Sequence, residues 1–209
     1  MTEDVLVVHN SHLPSYINNP GLHLIADSNE VFNLILEKHV FMSRDLAEYN
    51  FDHKQIIPYL IIRHGDSFLL MQRTSKQTEK RLHNKFSLGI GGHINPDSSA
   101  HGNNLIIGGL YKELSEEVRV NKPAGLQLIG IINDESNSVS RVHLGLLYEL
   151  EVLSDKYDVL EKDKMSAQWE RKDKLMQYYS NLETWSQIVY DYYITPVHSH
   201  HEEAFNNKN

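Results

Sequence analysis

The sequence predicts an α/β fold in which a mixed β-sheet is covered by helices. Short apolar runs of strand length, bounded by turn residues, precede a helical segment; further strand-like runs follow it; helical patterns mark both ends of the chain. The 209 residues suffice for one generous domain, or for one domain with a small extension.

The elements follow in order. Val5, Leu6, Val7 and Val8 read as a short strand, and a loop rich in Pro, Asn and Gly covers 14–21. A helix then opens at a Ser28 or Asn29 cap, with Val31, Leu34, Ile35, Phe41 and Met42 as its buried stripe. Residues 1–55 thus form an N-terminal strand/helix extension packing on a main domain at 56–197, followed by a polar tail at 198–209 expected to be disordered. The texture changes at Gln55. Apolar runs at 56–62 and 68–71 flank His64-Gly65-Asp66-Ser67, a hairpin signal, and Pro58 belongs at a strand start or on an edge because it lacks an N–H. A basic loop, 73–85, leads to a glycine-crowded strand ending at Gly91-Gly92-His93, and 95–104 is a loop. Residues 105–118 have helical composition, 126–132 and 139–152 read as strands, and Ser180-Asn181-Leu182-Glu183 is a capping-box pattern opening a C-terminal helix.

Composition excludes several function classes. With 40% hydrophobic and 23% charged residues the chain is an ordinary globular one. A net charge of −8 argues against a broad electrostatic grip on nucleic acid. There is no cysteine, so disulfides, thiolate nucleophiles and cysteine zinc sites are out. The acidic start Met1-Thr2-Glu3-Asp4 does not read as a secretory n-region, and no apolar run reaches membrane-spanning length, so a cytoplasmic location is expected.

The informative segment is Lys112-Glu113-Leu114-Ser115-Glu116-Glu117-Val118. On a helix, Glu113, Glu116 and Glu117 share one sector of the surface while Leu110, Leu114 and Val118 form the buried side. Like charges at these spacings repel, and a cation relieves them. The glycine-rich strand end upstream brings carbonyls within reach of the same point, which suits a hard ion such as Mg²⁺ and an anionic, phosphate-bearing ligand.

Over about residues 55–160 the chain resembles the Nudix hydrolase (MutT-like) family. Its box, with a glycine, a first glutamate and then Arg-Glu, an aliphatic residue, any residue and Glu-Glu, is matched by Gly92 and by 112–120. The resemblance implies a Nudix-type α/β/α sandwich and hydrolysis of a nucleoside diphosphate linked to another moiety, by water attack on phosphorus with Mg²⁺ or Mn²⁺. It implies Glu116 and Glu117 as metal ligands, Glu113 as a ligand or water-orienting base, the Gly91 carbonyl as a backbone ligand, and Lys112 as the residue orienting the glutamates. Arg73, Arg81 and His93 are the candidate substrate-binding residues, and Glu135 or Glu161 the candidate late-loop glutamate. A small-molecule diphosphate is the expected partner, with no nucleic-acid polymer and no membrane, and the N-terminal apolar stripe is the candidate contact of a homodimer.

The chain departs from the box in four places. The stretch from Gly92 to Lys112 is six residues longer than the family spacing. The first glutamate has no equivalent, since counting from either side lands on Asn104 or Ser98. Lys112 replaces the arginine, and Arg119 the final glycine. These departures motivate an alternative reading, a catalytically weak domain that binds or senses a nucleotide-like ligand. A prenyl-diphosphate isomerase reading ranks last, because that chemistry typically uses a cysteine.

Overall fold

The computed structural model describes residues 3–24, 28–74, 85–98, 102 and 104–196. At its centre is β4 (His53–His64), nearly all of it buried because both faces of the sheet are covered. It pairs in parallel with β10 (His143–Val152), Gln55 standing opposite His143, whereas the other strand pairs among the described residues are antiparallel. The hairpin partner β5 (Ser67–Arg73) follows a turn at Gly65, where φ is +56°, a value glycine adopts without strain. Beyond β5 lies β12 (Met165–Arg171); on the other side β10 pairs with β9 (Pro123–Asn133), and β9 with β2 (Gly21–Leu24).

The first strand, β1 (Asp4–His9), joins the sheet directly. It pairs with β3 (Val40–Ser43) on one side and with the first three residues of β4 on the other. Further along β4, the same edge takes β7 (Gly89–Gly91), while β6 (Phe86–Ser87) pairs with β5. Pro58 therefore lies inside a central strand, not at a start or edge as expected. Its missing N–H is tolerated because it falls between the residues paired with β1 and those paired with β7.

Side chains alternate between two cores. Ile56, Leu60, Ile62, Leu144, Leu146 and Leu150 face a layer built from α1 (Ser28–Lys38) and α3 (Leu105–Glu117). Tyr59, Ile61, Phe68, Leu70 and Leu147 face the opposite layer, a 3₁₀ stretch at Lys172–Asn181 and α4 (Thr184–Val189). The result is the α/β/α sandwich expected, with a mixed sheet between helical layers.

Several boundaries move. α1 stops at Lys38, so Phe41 and Met42 belong to β3, not to the helix stripe. Val31 and Ile35 of that stripe pack into the chain's own core, while Leu34 is half-buried. The strand expected at 139–152 starts only at His143, after a 3₁₀ turn at Ser140–Val142. The C-terminal helix opens at Thr184 without the anticipated capping box, and Glu183 is turned to another use described below. Three short pieces are α2 (Arg44–Ala47) and the paired strands β8 (Val118–Val120) and β11 (Tyr157–Val159). The 198–209 tail, Arg81 and most of the basic loop lie outside the described residues. Among the described residues no helix is long and apolar enough to cross a membrane.

Candidate functional site

α3 carries the acidic sector. Its N-cap is Asn104, whose side-chain oxygen accepts from the Ile107 N–H at 3.0 Å. The second position that counting offered for the first box glutamate, Ser98, is fully buried, and its hydroxyl accepts from the Asn95 N–H at 2.9 Å. Both residues shape the loop into the helix. At the far end Val118 and Arg119 are already extended and paired with β11, so the chain leaves α3 straight into a strand and needs no left-handed glycine.

Ile106 and Leu110 anchor α3 in the core and set the helix against β4 and β7. This packing brings the Glu113 carboxyl group onto Gly92: a Cβ at position 92 would overlap the Glu113 carboxyl carbon. A side chain at 92 would therefore push the Glu113 carboxyl group out of this position. Glu113 and Glu117 are half-buried, whereas Glu116 is exposed. Burial, and then the neighbouring Glu116 charge, push the Glu113 carboxyl up to about 7, with Lys112 pulling the other way. Burial likewise pushes Glu117 up to about 7; Arg73 opposes the rise while Glu113, Glu161 and Glu183 add to it. The Glu117 Oε2 is buried and has no hydrogen-bond partner. Two crowded carboxylates, one with an orphaned oxygen, beside a backbone that glycine keeps open, form a donor set that suits a hard divalent cation.

The other expected residues fall as follows. Lys112 donates to Asn95 Oδ1 at 2.9 Å, and its charge also favours the ionised form of Glu113. Asn95 in turn donates to Glu3 Oε1 at 3.0 Å and to the Asp4 carbonyl at 2.9 Å, which ties the loop after β7 to β1. Of the two late-loop glutamates, Glu161 stands by the acidic sector: Leu160 N–H donates to the Glu117 carbonyl at 2.8 Å, and the Glu161 charge acts on both Glu113 and Glu117. Its carboxylate pairs with Lys164. Glu135 is occupied elsewhere, at 2.7 Å from the buried Lys54 and 3.5 Å from Arg141.

Gly91, Gly92, His93 and Arg73 line a cleft of about 770 Å³. Sequence patterns had not linked its other walls to the box: Tyr59, Glu48, Ser140, His143, Glu183 and Trp185. Glu183, despite its capping-box spacing, accepts from the Ser87 hydroxyl and lies 3.8 Å from the Arg73 guanidinium. Tyr59 O–H meets Ser186 Oγ at 2.8 Å and Ser87 Oγ at 3.2 Å, and its ring packs edge-on against Trp185, which is therefore a cleft wall as well as a core residue. Burial, with the Arg44 and His143 charges, lowers the His93 imidazole to about 3, so this ring is neutral at physiological pH. These contacts are contributed by residues distant in sequence; among them His93, by its place after Gly91-Gly92, and Arg73, in the basic loop, carry a local signal of ligand binding.

The arrangement has counterparts in known proteins, although no family model matches the chain. Protein YmaB of Bacillus subtilis strain 168 is 38% identical over 156 residues, spanning 72% of this chain and 76% of that protein. The crystal structure of Tm1382, a candidate Nudix hydrolase, superposes with a TM-score of 0.74 at 31% identity, covering 90% of this chain and 96% of the other. The NUDIX domain of Shewanella oneidensis NrtR, crystallised with ADP ribose, shares the fold at a TM-score of 0.52 and 14% identity, over 71% of this chain and 95% of that one. Identity and fold agree over most of both chains, and the chain belongs to the MutT-like Nudix hydrolase family, a family of pyrophosphohydrolases that generally use divalent metals.

Proposed function

We propose that this protein is a metal-dependent hydrolase of a nucleoside diphosphate linked to another moiety, in which water attacks a phosphorus of the diphosphate. The observation that carries the reading is the pair Glu113 and Glu117. Two half-buried carboxylates with raised pKa, one with an unpartnered oxygen, sit against Gly92 at the edge of a cleft large enough for a nucleotide. Glu116 and Glu117 would hold Mg²⁺ or Mn²⁺ with the Gly91 carbonyl, and such an ion supplies charge neutralisation for the diphosphate. Glu113 serves as a further ligand or orients the attacking water. Glu161 is the late-loop carboxylate best placed to join them. Lys112 steadies Glu113 electrostatically and holds the loop through Asn95. Arg73, with Arg81 contributed by the loop outside the described residues, attracts the diphosphate, and His93 offers a neutral imidazole to the ligand.

The test is a panel of nucleoside diphosphate derivatives, ADP ribose included because the NrtR domain was crystallised with it, assayed with Mg²⁺ or Mn²⁺. Wild type should turn over at least one, and Glu117→Gln should cut kcat by at least about 100-fold, the upper end of what loss of a group behind a metal ligand costs. Unchanged turnover in Glu117→Gln would remove the site assignment. Tight metal-dependent binding without turnover of any compound would replace hydrolysis with the sensor reading that the altered box motivates.

A further inference from the structure

A second group of ligating side chains lines the cleft beside the glycine strand end. We propose that Glu48, His93 and His143 form a cation site of zinc type on the cleft wall, built from side chains other than the box carboxylates and open on its fourth side to an anionic oxygen of the cleft's ligand. The three residues come from the end of α2, the segment after β7 and the first position of β10, and one ligand atom of each lies within 4.8 Å of the others. All three line the cleft.

The spacing of the two imidazoles matches a tetrahedral ion. His93 Nε2 and His143 Nε2 are 3.4 Å apart. With Zn–N bonds of about 2.0–2.1 Å, two nitrogens on a tetrahedral ion stand about 3.3–3.4 Å apart. His143 is also oriented from behind: its Nδ1 lies 2.7 Å from the Val139 carbonyl, which can only accept, so in the neutral ring Nδ1 carries the proton and Nε2 keeps its lone pair. An imidazole donating its far N–H to a carbonyl while presenting the other nitrogen is the usual support of a metal-bound histidine. The Val139 turn is itself fixed, since Asn137 Oδ1 accepts from Val139 N–H at 3.0 Å and from Ser140 N–H at 2.9 Å. Two imidazoles and one carboxylate form a softer set than the box, so the two sites select different ions. The Arg44 guanidinium, 3.4 Å from Glu48 Oε1 and 2.9 Å from Glu3 Oε2, competes for the Glu48 carboxylate and sets the cation's affinity.

The alternative is a plain hydrogen bond from His93 Nε2–H to His143 Nε2, and metal titration separates the two. The full chain is used, metal-stripped, with the three tail histidines His198, His200 and His201 changed to serine throughout. Co²⁺ is the probe, read by its visible tetrahedral absorption and by calorimetry, with Zn²⁺ and Mg²⁺ as competitors. One Co²⁺ per chain with tetrahedral absorption is expected, displaced by Zn²⁺ and not by Mg²⁺, while any Co²⁺ on the box carboxylates lacks that absorption and yields to Mg²⁺. His143→Gln should weaken the tetrahedral Co²⁺ by at least about 100-fold and Glu48→Gln by at least about 10-fold, while Glu117→Gln leaves it unchanged. Glu48 is half-buried at a helix end, so its variant serves if His143→Gln fails to fold. No tetrahedral spectrum, equal affinity in the Glu48 and His143 variants, or loss in Glu117→Gln would each overturn the proposal.

Discussion

Gly92 shows how a single missing side chain shapes the site. Because any Cβ there would overlap the Glu113 carboxyl group, Gly92→Ala must displace either that carboxylate or the strand end that carries Gly91. We expect turnover to fall by at least about 10-fold with little change in stability, because the group displaced is the end of a flexible side chain. Steady-state kinetics with urea unfolding checks this; wild-type kcat in the variant would show that the close approach is unnecessary. The acidic triplet and the glycine were visible in the sequence because both follow local spacing. Lys112 was visible too, but not its bond to Asn95, which links residues from opposite ends of the loop.

At the scale of elements, the cleft depends on clamps between segments that do not follow one another. Lys54 of β4 is buried and donates to Asn133 Oδ1 at 3.0 Å, Glu135 Oε1 at 2.7 Å and the Arg141 carbonyl at 2.7 Å, fastening the turn between β9 and β10. Removing the ammonium strands a carboxylate that is about one-third exposed, so Lys54→Met should cost about 2–3 kcal/mol, below the full penalty for a broken buried pair. A chemical-denaturation midpoint equal to wild type would contradict it. α4 is fastened by Ser186, whose Oγ accepts from the Leu88 N–H at 2.8 Å and meets Tyr59 O–H at 2.8 Å. Ser186→Ala leaves the buried Leu88 N–H without this acceptor and should cost about 1–3 kcal/mol, measured the same way. Such long-range partners explain why the C-terminal boundary shifted: Glu183 has capping-box spacing, yet its carboxylate is drawn to Ser87 and Arg73 instead. β12 was missed for a related reason, because its pairing with β5 is set by tertiary contact and its sequence mixes polar with aromatic residues.

For the whole molecule, the box carboxylates make stability depend on pH and on divalent ions. Glu113 and Glu117 have folded-state pKa values near 7, above the ordinary value of 4.5. Groups raised in this way favour the folded state below about pH 4.5 and lose that contribution as pH climbs through 7. In chelator, wild type should therefore lose Tm between pH 5 and 8 relative to the Glu113→Gln/Glu117→Gln double variant, and Mg²⁺ should raise wild-type Tm more at pH 8 than at pH 5. Differential scanning calorimetry decides; a Mg²⁺ increment independent of pH would contradict the raised values. The sandwich itself was legible from the order of apolar runs, since strands 56–62 and 68–71, the 105–118 helix and the later strand run all match elements. The role of the first strand as part of the sheet was not, because nothing local in Val5 to Val8 names a partner.

The parallel pairing of β4 with β10 also has a consequence for how the chain acquires its structure. The box helix lies between these strands in sequence, yet the ladder at the sheet's centre cannot close until His143 to Val152 have been synthesised. Closing so long a loop before the pairing repays it is slow, and a nascent chain ending before β10 would leave one flank of β4 open to other strands. Folding of this protein should consequently wait on its last third, with the acidic helix among the regions that settle late.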